Sequence, residues 1–245
     1  STLFPYTTLF RSRTGIEFYR TGNNINSYRG NTLLTPAIPG TTGVKALDRP
    51  GVFSSVTSAT NHTGYYNGAS MGSANYSKGN FAISQWFVGT GWNTTNGWQG
   101  GAETDFAEVF TYNRVLSAIE LQKVQSYMAL KYGIAMKQNY VLSDGTPVWD
   151  VTANATYSKE IAALARDNVS VLYQKQAKAF HADEVVSIAS GNTLAATNND
   201  NADSIINNLS VFIWGNDSAS TALTTAFTAG DRKSTRLNSS HRTGS

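Results

Sequence analysis

The chain has 245 residues, of which 19 are basic and 16 are acidic, and it contains no cysteine. The absence of cysteine excludes disulfide bonds and a thiol nucleophile within this sequence. Its many Gly, Asn, Thr, Ser and Tyr residues are typical of β-rich proteins, and no apolar run reaches the length of a membrane span.

The two ends of the chain differ from the rest. Residues 1–12 and 231–245 resemble the translated sequences of two common short-read sequencing adapters. We therefore interpret both segments as adapter-derived artefacts, and we expect residues 13–230 to be an internal fragment of a longer protein. The end segments hold five basic residues and one acidic residue, so residues 13–230 keep 14 basic and 15 acidic side chains, a net charge of −1. The overall charge of +3 therefore does not predict a nucleic-acid partner.

The first part of the chain predicts short strands separated by turns. A turn is predicted at residues 22–24, and the Asn67-Gly68 pair is the strongest hairpin signal in the sequence. Residues 90–101, rich in Gly, Asn and Trp, are predicted to form a loop. The composition predicts strands at residues 15–20, 52–57 and 81–89.

The clearest local prediction is a strand that leads into a capped helix. Residues 106–112 alternate with a period of two, which predicts a strand. Ser117 and Glu120 have the spacing of a capping box, and Gly133 is suited to end the helix in the left-handed conformation. Helical spacing predicts an inward face of Leu121, Val124, Met128 and Tyr132 and an outward face of Gln122, Lys123, Gln125 and Ser126.

Residues 107–134, AEVFTYNRVLSAIELQKVQSYMALKYGI, carry a family resemblance. They resemble the closing strand and terminal helix of LamG-like jelly-roll domains, in the concanavalin A-like lectin/glucanase superfamily, as found in large secreted Bacteroidota proteins. The resemblance implies that residues 13–136 are the C-terminal half of such a domain. The implied fold is mainly β, an incomplete antiparallel β-sandwich (jelly roll) closed by one α-helix. The implied location is extracellular or at the cell surface.

The character of the sequence changes after Gly133. The order of the segments SDGTPVWD, IAALARD, QKQAK and VFIWGND is similar to an uncharacterised β-rich domain that often follows the LamG-like unit. We therefore predict a truncated β-rich domain of unknown function at residues 137–230. Residues 140–150 predict a strand, a turn and a short strand, and residues 184–189 and 209–215 predict strands. Residues 161–166 and 171–180 fit either helix or strand.

Three acidic residues have the spacing of a glycosidase motif. Glu103, Asp105 and Glu108 form the E-x-D-x-x-E pattern of retaining β-glucanases, which need two carboxyl groups about 5–5.5 Å apart. A regular strand would place Glu103 and Glu108 on opposite faces and roughly 17 Å apart, and only a bulge would bring them to one face. Acidic residues at this place in LamG-like domains are not catalytic as a class. We therefore predict no enzyme activity, and a glycoside hydrolase is the alternative.

Three tryptophans lie between residues 86 and 98. Trp86 falls in a predicted strand and is predicted to lie in the core, whereas Trp92 and Trp98 fall in a segment of Gly, Asn and Thr that offers little core to bury them. Their apolar rings suit the C–H faces of sugars, so they are the predicted carbohydrate-binding residues. The alternative is that they pack over the edge of the sandwich.

No cofactor or metal site is predicted. Residues 198–203 offer oxygen atoms of the kind that calcium binds, but they lack the Gly and the terminal Glu of a helix-loop-helix calcium loop. A polar loop is therefore favoured over a calcium site. His62 and His181 have no neighbouring ligand or nucleophile in the sequence, which favours an ordinary surface or core role for both.

These observations predict a non-catalytic module for carbohydrate or matrix recognition, or for adhesion, in a large secreted bacterial surface protein. Its partner would be a glycan or another extracellular polymer. The family resemblance carries this prediction, because no constellation of residues defines a function by itself. A structural spacer without a ligand is the second alternative.

Overall fold

The structure is a computed structural model that describes part of the chain. Backbone and side chains are described for residues 50–73, 75, 105–179 and 186–217, and the backbone alone for residues 16–21, 24–29, 32–33, 74, 90–93 and 97–101. Several predictions concern residues outside the described part of the chain: the strand at residues 81–89, Trp86, Glu103, His181 and both end segments.

The described chain is mainly β, and its paired strands are antiparallel. Before the helix, the strands are β1 (Ile16–Thr21), β2 (Asn24–Arg29), β3 (Thr32–Leu33), β4 (Phe53–Thr57), β5 (Asn61–Tyr66), β6 (Ala69–Asn75), β7 (Thr90–Asn93) and β8 (Gly97–Gly101). Helix α1 (Ala118–Tyr132) is followed by β9 (Tyr140–Val141), β10 (Pro147–Trp149), a 3₁₀ turn (Ala155–Tyr157), β11 (Glu160–Asp167), β12 (Leu172–Gln174), β13 (Gln176–Lys178), β14 (Ser187–Ala189) and β15 (Ser210–Asn216). The described part contains one α-helix, which is too short and too polar to cross a membrane.

The predicted hairpin at Asn67-Gly68 is confirmed. Strands β1 and β2 pair as far as Thr21 and Asn24, so Asn24, predicted as part of a turn, is the first residue of β2, and residues 22–23 lie outside the described residues. Strands β4, β5 and β6 form one sheet, and β5 joins β6 through Asn67 and Gly68. Both turn residues have positive φ, 46° and 82°, as a type I′ hairpin turn requires.

Helix α1 begins and ends as the sequence predicts. The Ser117 hydroxyl accepts the Glu120 N–H at 3.4 Å, and the Glu120 carboxylate accepts the Ser117 N–H at 2.8 Å, which completes the capping box. Gly133 has φ 64° and donates its N–H to the carbonyl of Ala129. A side chain at position 133 would also lie about 2.6 Å from the carbonyl oxygen of Lys178, so the left-handed end of the helix depends on glycine.

The predicted faces of helix α1 were partly wrong. Gln125 and Ser126, predicted to face outward, are buried together with Leu121, Ala129 and Leu130. Their polar groups are satisfied: Gln125 donates to Ser54 Oγ at 3.0 Å and accepts from Gln138 at 2.7 Å, and Ser126 Oγ accepts the Val141 N–H at 3.1 Å. Of the residues predicted to face inward, Leu121 is buried, and Met128 and Tyr132 pack against the core. Counting apolar residues missed the rest of the buried face because that part includes hydrogen-bonded polar side chains.

The strand predicted at residues 106–112 is absent. These residues belong to no β-ladder, and Phe106, Val109, Phe110 and Tyr112 are exposed. The alternating pattern shows that the sequence suits a strand, but a strand also needs a neighbour to complete its hydrogen bonds. The prediction that residues 90–101 form a loop was also wrong, because β7 and β8 pair there as a hairpin. The segments left undecided contain strands β11, β12 and β13.

Helix α1 packs against strands β9, β11 and β12, and the core lies between them. Its members come from the helix, the segment after it and the later strands, and one lies directly before β4: Val52, Ala129, Leu130, Ile134, Met136, Tyr140, Leu142, Ile161, Ala163, Ala165 and Leu172. Tyr140 fixes the turn after the helix, since its hydroxyl donates to the Ile134 carbonyl and accepts the Met136 N–H, each at 2.7 Å. Burial raises the pKa of Tyr140, so this hydroxyl stays a donor.

Candidate functional site

The β7–β8 hairpin brings the two predicted carbohydrate-binding residues together in the backbone. In the antiparallel register Trp92 pairs with Trp98, and Asn93 pairs with Gly97. The register shifts between Thr90 and Gly91, at the open end of the hairpin. Residues that pair directly in an antiparallel ladder share a face of it, so the backbone places both tryptophans on one face of a two-stranded ribbon.

Glu108 is held against helix α1 by an ion pair. Its Oε1 accepts hydrogen bonds from Lys131 Nζ and, at 3.3 Å, from the Tyr127 hydroxyl. Phe110 packs edge-on against the Tyr127 ring, with 5.8 Å between centroids. These contacts anchor residues 105–112 to the helix in place of a β-ladder.

The charge of Lys131 is stabilised by this arrangement. Burial lowers the pKa of Lys131, but the hydrogen bonds to Glu108 and Tyr127 outweigh it, so that its pKa lies above the ordinary value. Glu108 Oε2 is buried and has no hydrogen-bond partner among the described residues. Glu108 therefore acts as a structural partner of Lys131, while Asp105 is exposed. The separation of Glu108 from Glu103 is not tested by the described residues.

A concave site lies between the end of helix α1 and strand β12. Its volume is about 350 Å³. The polar residues that line it are Lys131, Tyr173, Gln174, Lys175, Asn198 and Asn199. Sequence reasoning missed this site because its residues come from a helix, a strand and a loop that are far apart in the chain, and no local motif marks them.

The loop that was weighed as a calcium site has a structural role. Asn198 Oδ1 accepts the N–H groups of Lys175 and Gln176 at 2.6 and 3.3 Å, and its amide group donates to the Tyr173 carbonyl at 2.8 Å. The Asn201 side chain is buried, and its Oδ1 accepts the Asp203 N–H at 2.9 Å. These hydrogen bonds tie the loop to strands β12 and β13. Among the residues with described side chains, no group of three His, Cys, Asp or Glu residues is arranged to hold a metal ion.

Of the two ordinary roles favoured for His62, surface or core, the structure shows the core role. It is buried in the sheet of β4–β6, where its ring lies 2.8 Å from Thr57 Oγ1 and 3.3 Å from Ser55 Oγ. These hydroxyls satisfy the polar ring atoms that burial would otherwise leave without water.

The described architecture defines a class: a mainly β, antiparallel chain with one capped helix packed on its later strands. A family model described as "Domain of unknown function (DUF8202)" matches residues 120–244, and the chain belongs to this family. The match begins inside helix α1, so the family includes most of the helix together with the strands that cover it. It also includes residues 231–244, so their adapter origin stays a prediction. Neither a curated protein nor a solved structure matches the chain.

Proposed function

We propose that this chain is a non-catalytic module for carbohydrate or matrix recognition in a secreted bacterial surface protein. In this proposal, residues 13–136 are the C-terminal half of a LamG-like jelly roll, and residues 137–230 begin a second β-rich domain. The observation that carries the proposal is the backbone pairing of Trp92 with Trp98 in the β7–β8 hairpin.

The hairpin suits the recognition of a sugar. Two tryptophans on one face of a narrow ribbon offer a wide apolar platform, and the C–H faces of pyranose rings stack on such surfaces. In the sequence, the residues around them are mostly Gly, Asn and Thr, which have small side chains.

One such platform would bind weakly. A stacked ring contributes about 1 kcal/mol beyond its buried area, by analogy with aromatic pairs. A contact of this size supports binding at about millimolar concentration or weaker. Repeated copies along a surface protein would supply avidity, which fits a role in adhesion better than the capture of a soluble sugar.

The alternative of a retaining glycosidase finds little support in the described residues. A nucleophile or an acid/base residue needs access to the substrate, whereas Glu108 is engaged by Lys131 and Tyr127 beside the helix. Incubation of the protein with β-glucans and galactans is expected to release no reducing sugar. Release that disappears in Glu103→Gln would establish the hydrolase alternative instead.

The proposal is tested by a glycan array probed with a multivalent display of the whole chain. The wild type is compared with the double variant Trp92→Ala/Trp98→Ala and with Tyr157→Ala, which removes an exposed aromatic residue elsewhere. We expect the double variant to lose the signal and Tyr157→Ala to keep it. Equal signals in wild type and double variant would remove the tryptophans from the site, and no signal in any of them would favour the structural spacer.

A further inference from the structure

We propose a second binding site, in the concave site between helix α1 and strand β12, for a saccharide unit that carries one carboxylate. Its volume of about 350 Å³ lies at the small end of the range for ligand pockets, which suits one or two sugar rings. The proposal uses none of the residues of the β7–β8 hairpin and does not depend on the function proposed above.

The charges around the site favour a single anion. Lys131 and Lys175 both line it, but the charge of Lys131 is already matched by Glu108. Lys175 Nζ donates to the Asn201 carbonyl, which is neutral, and lies 5.6 Å from the centre of the Tyr173 ring. No carboxylate is among the described residues that line the site. One positive charge therefore remains uncompensated at Lys175, and an ammonium group has three donors, so it can also bind a carboxylate.

The neutral residues of the site favour a sugar over a small inorganic anion. Asn199 and Gln174 line the site with amide groups, which can donate to and accept from hydroxyl groups. The Gln174 amide already donates one hydrogen bond, to the Gln176 carbonyl at 2.5 Å, and its oxygen has no hydrogen bond among those of the described residues. Asn199 is exposed, and no hydrogen bond of its side chain is among those of the described residues. A phosphate or sulfate site would be expected to offer more positive charges or several converging backbone N–H groups.

The wall of the site is held rigidly. Asn198 bonds the backbone of Tyr173, Lys175 and Gln176 through both ends of its amide. The Lys175 backbone carbonyl also accepts the Ser190 N–H at 2.7 Å. A preformed wall lowers the ordering cost of binding, so even a small ligand can bind measurably.

The experiment is a calorimetric titration of the full chain with sodium glucuronate. Methyl glucoside tests the neutral ring, and sodium acetate and sodium sulfate test the anion alone. We expect glucuronate to bind with a Kd of about millimolar order, and each of the other three compounds to bind at least about fivefold more weakly, because each lacks either the charge or the ring.

Variants then assign the binding to the site. Lys175→Gln is expected to weaken glucuronate binding at least about fivefold, and Lys175→Arg to keep most of it. Lys137→Gln makes the same charge change at an exposed position outside the site and is expected to have no effect. Asn199→Asp adds a negative charge to the wall at an exposed position, and it is expected to weaken binding even if Lys175→Gln fails to fold.

Three results would overturn the proposal. One is the absence of glucuronate binding, another is equal affinity for glucuronate and methyl glucoside, and the third is unchanged affinity in Asn199→Asp or in folded Lys175→Gln. Because Trp92→Ala/Trp98→Ala changes none of the residues that line this site, its loss of array signal and the glucuronate affinity report on different sites.

Discussion

At the scale of single residues, Glu120 joins three groups at the start of helix α1. It receives two hydrogen bonds from the Arg114 guanidinium, at 2.9 and 2.7 Å, and further bonds from the Ser117 backbone N–H and hydroxyl. A carboxylate here also lies at the positive end of the helix dipole. The start of the helix is therefore fixed by a small network of exposed polar groups as well as by the cap itself.

The Ser117→Ala variant tests the cap. Loss of the hydroxyl removes the acceptor for the Glu120 N–H, and the free energy of unfolding is expected to fall by about 1 kcal/mol. Urea denaturation measures the change, and Ser117→Asp, which keeps a capping oxygen, is expected to retain most of the stability. An unfolding free energy in Ser117→Ala equal to that of the wild type would contradict this role.

Glu120 also predicts a dependence of stability on pH. Its hydrogen bonds with Arg114, and then those with the N–H and hydroxyl of Ser117, lower the pKa of Glu120 from 4.5 to about 2. Because the folded state has the lower pKa, the stabilisation is fully present above pH 4.5 and is lost as the pH falls towards 2. Urea denaturation of the wild type and of Glu120→Gln is expected to show a difference in stability that narrows over this window. If the difference in stability between the wild type and Glu120→Gln stayed constant from pH 7 to pH 2, the charge of Glu120 would not contribute to stability.

At the scale of secondary-structure elements, the hairpin between β11 and β12 contains backbone strain. Val171 has φ 57°, which a β-branched residue adopts at a cost of about 1–2 kcal/mol, and its side chain is 83% exposed. The turn is held nonetheless, because Asp167 Oδ1 accepts the N–H groups of Val169 and Ser170 at 3.2 and 3.4 Å. The paired strands impose the conformation on a residue that does not favour it.

Val171→Gly is expected to stabilise the chain by about 0.5–1 kcal/mol. Relief of the left-handed backbone outweighs the larger entropy of glycine in the unfolded state, and an exposed valine loses little packing. Val169→Gly is the matched control, since Val169 is 78% exposed in the same turn but is not among the residues with positive φ. This control is expected to lose stability. Thermal unfolding of both variants shows whether each one gains or loses stability. A loss of stability in both would contradict the strain argument.

The elements that were predicted correctly from the sequence are those that are determined by residues close together in the chain. The capping box of Ser117 and Glu120 and the positive φ values of Asn67 and Gly68 depend on residues a few positions apart. The prediction of a strand at residues 106–112 was wrong because the pairing of a strand depends on a partner elsewhere in the chain. Gln125 was assigned to the wrong face because its burial depends on Ser54, 71 residues earlier.

The candidate sites follow the same rule. Trp92 and Trp98 were identified from a short segment, and their pairing needs only the hairpin that joins them. The site at Lys175 was not identified, because its wall requires Asn198 to fold back on the strand and its charge balance requires Glu108 to pair with Lys131. Neither contact leaves a pattern in the nearby sequence.

At the scale of the whole molecule, the described core crosses the predicted domain boundary between residues 136 and 137. Val52, directly before β4, belongs to the same cluster as Ile161 and Leu172. The Asn67 turn is also tied to the segment after the helix, since Lys137 donates its N–H to the Asn67 carbonyl at 2.7 Å. The division into residues 13–136 and 137–230 stays a prediction, and the shared core would couple the unfolding of the two proposed domains.

We expect the described parts on both sides of residue 136 to unfold together, and Val52→Ala tests this. Val52 is buried, and its N–H and carbonyl both bond to Asn67, so the loss of two methyl groups is expected to leave the backbone in place and to cost about 2 kcal/mol. Because Val52 packs in one cluster with Ile161 and Leu172, hydrogen exchange is expected to show weaker protection in β11 as well as in β4 and β5. Val56→Ala is the control, because Val56 lies in β4, the strand that follows Val52, but outside this cluster. Weaker protection of β4 and β5 in Val52→Ala, with β11 unchanged, would show two independent units and support the boundary predicted from the sequence.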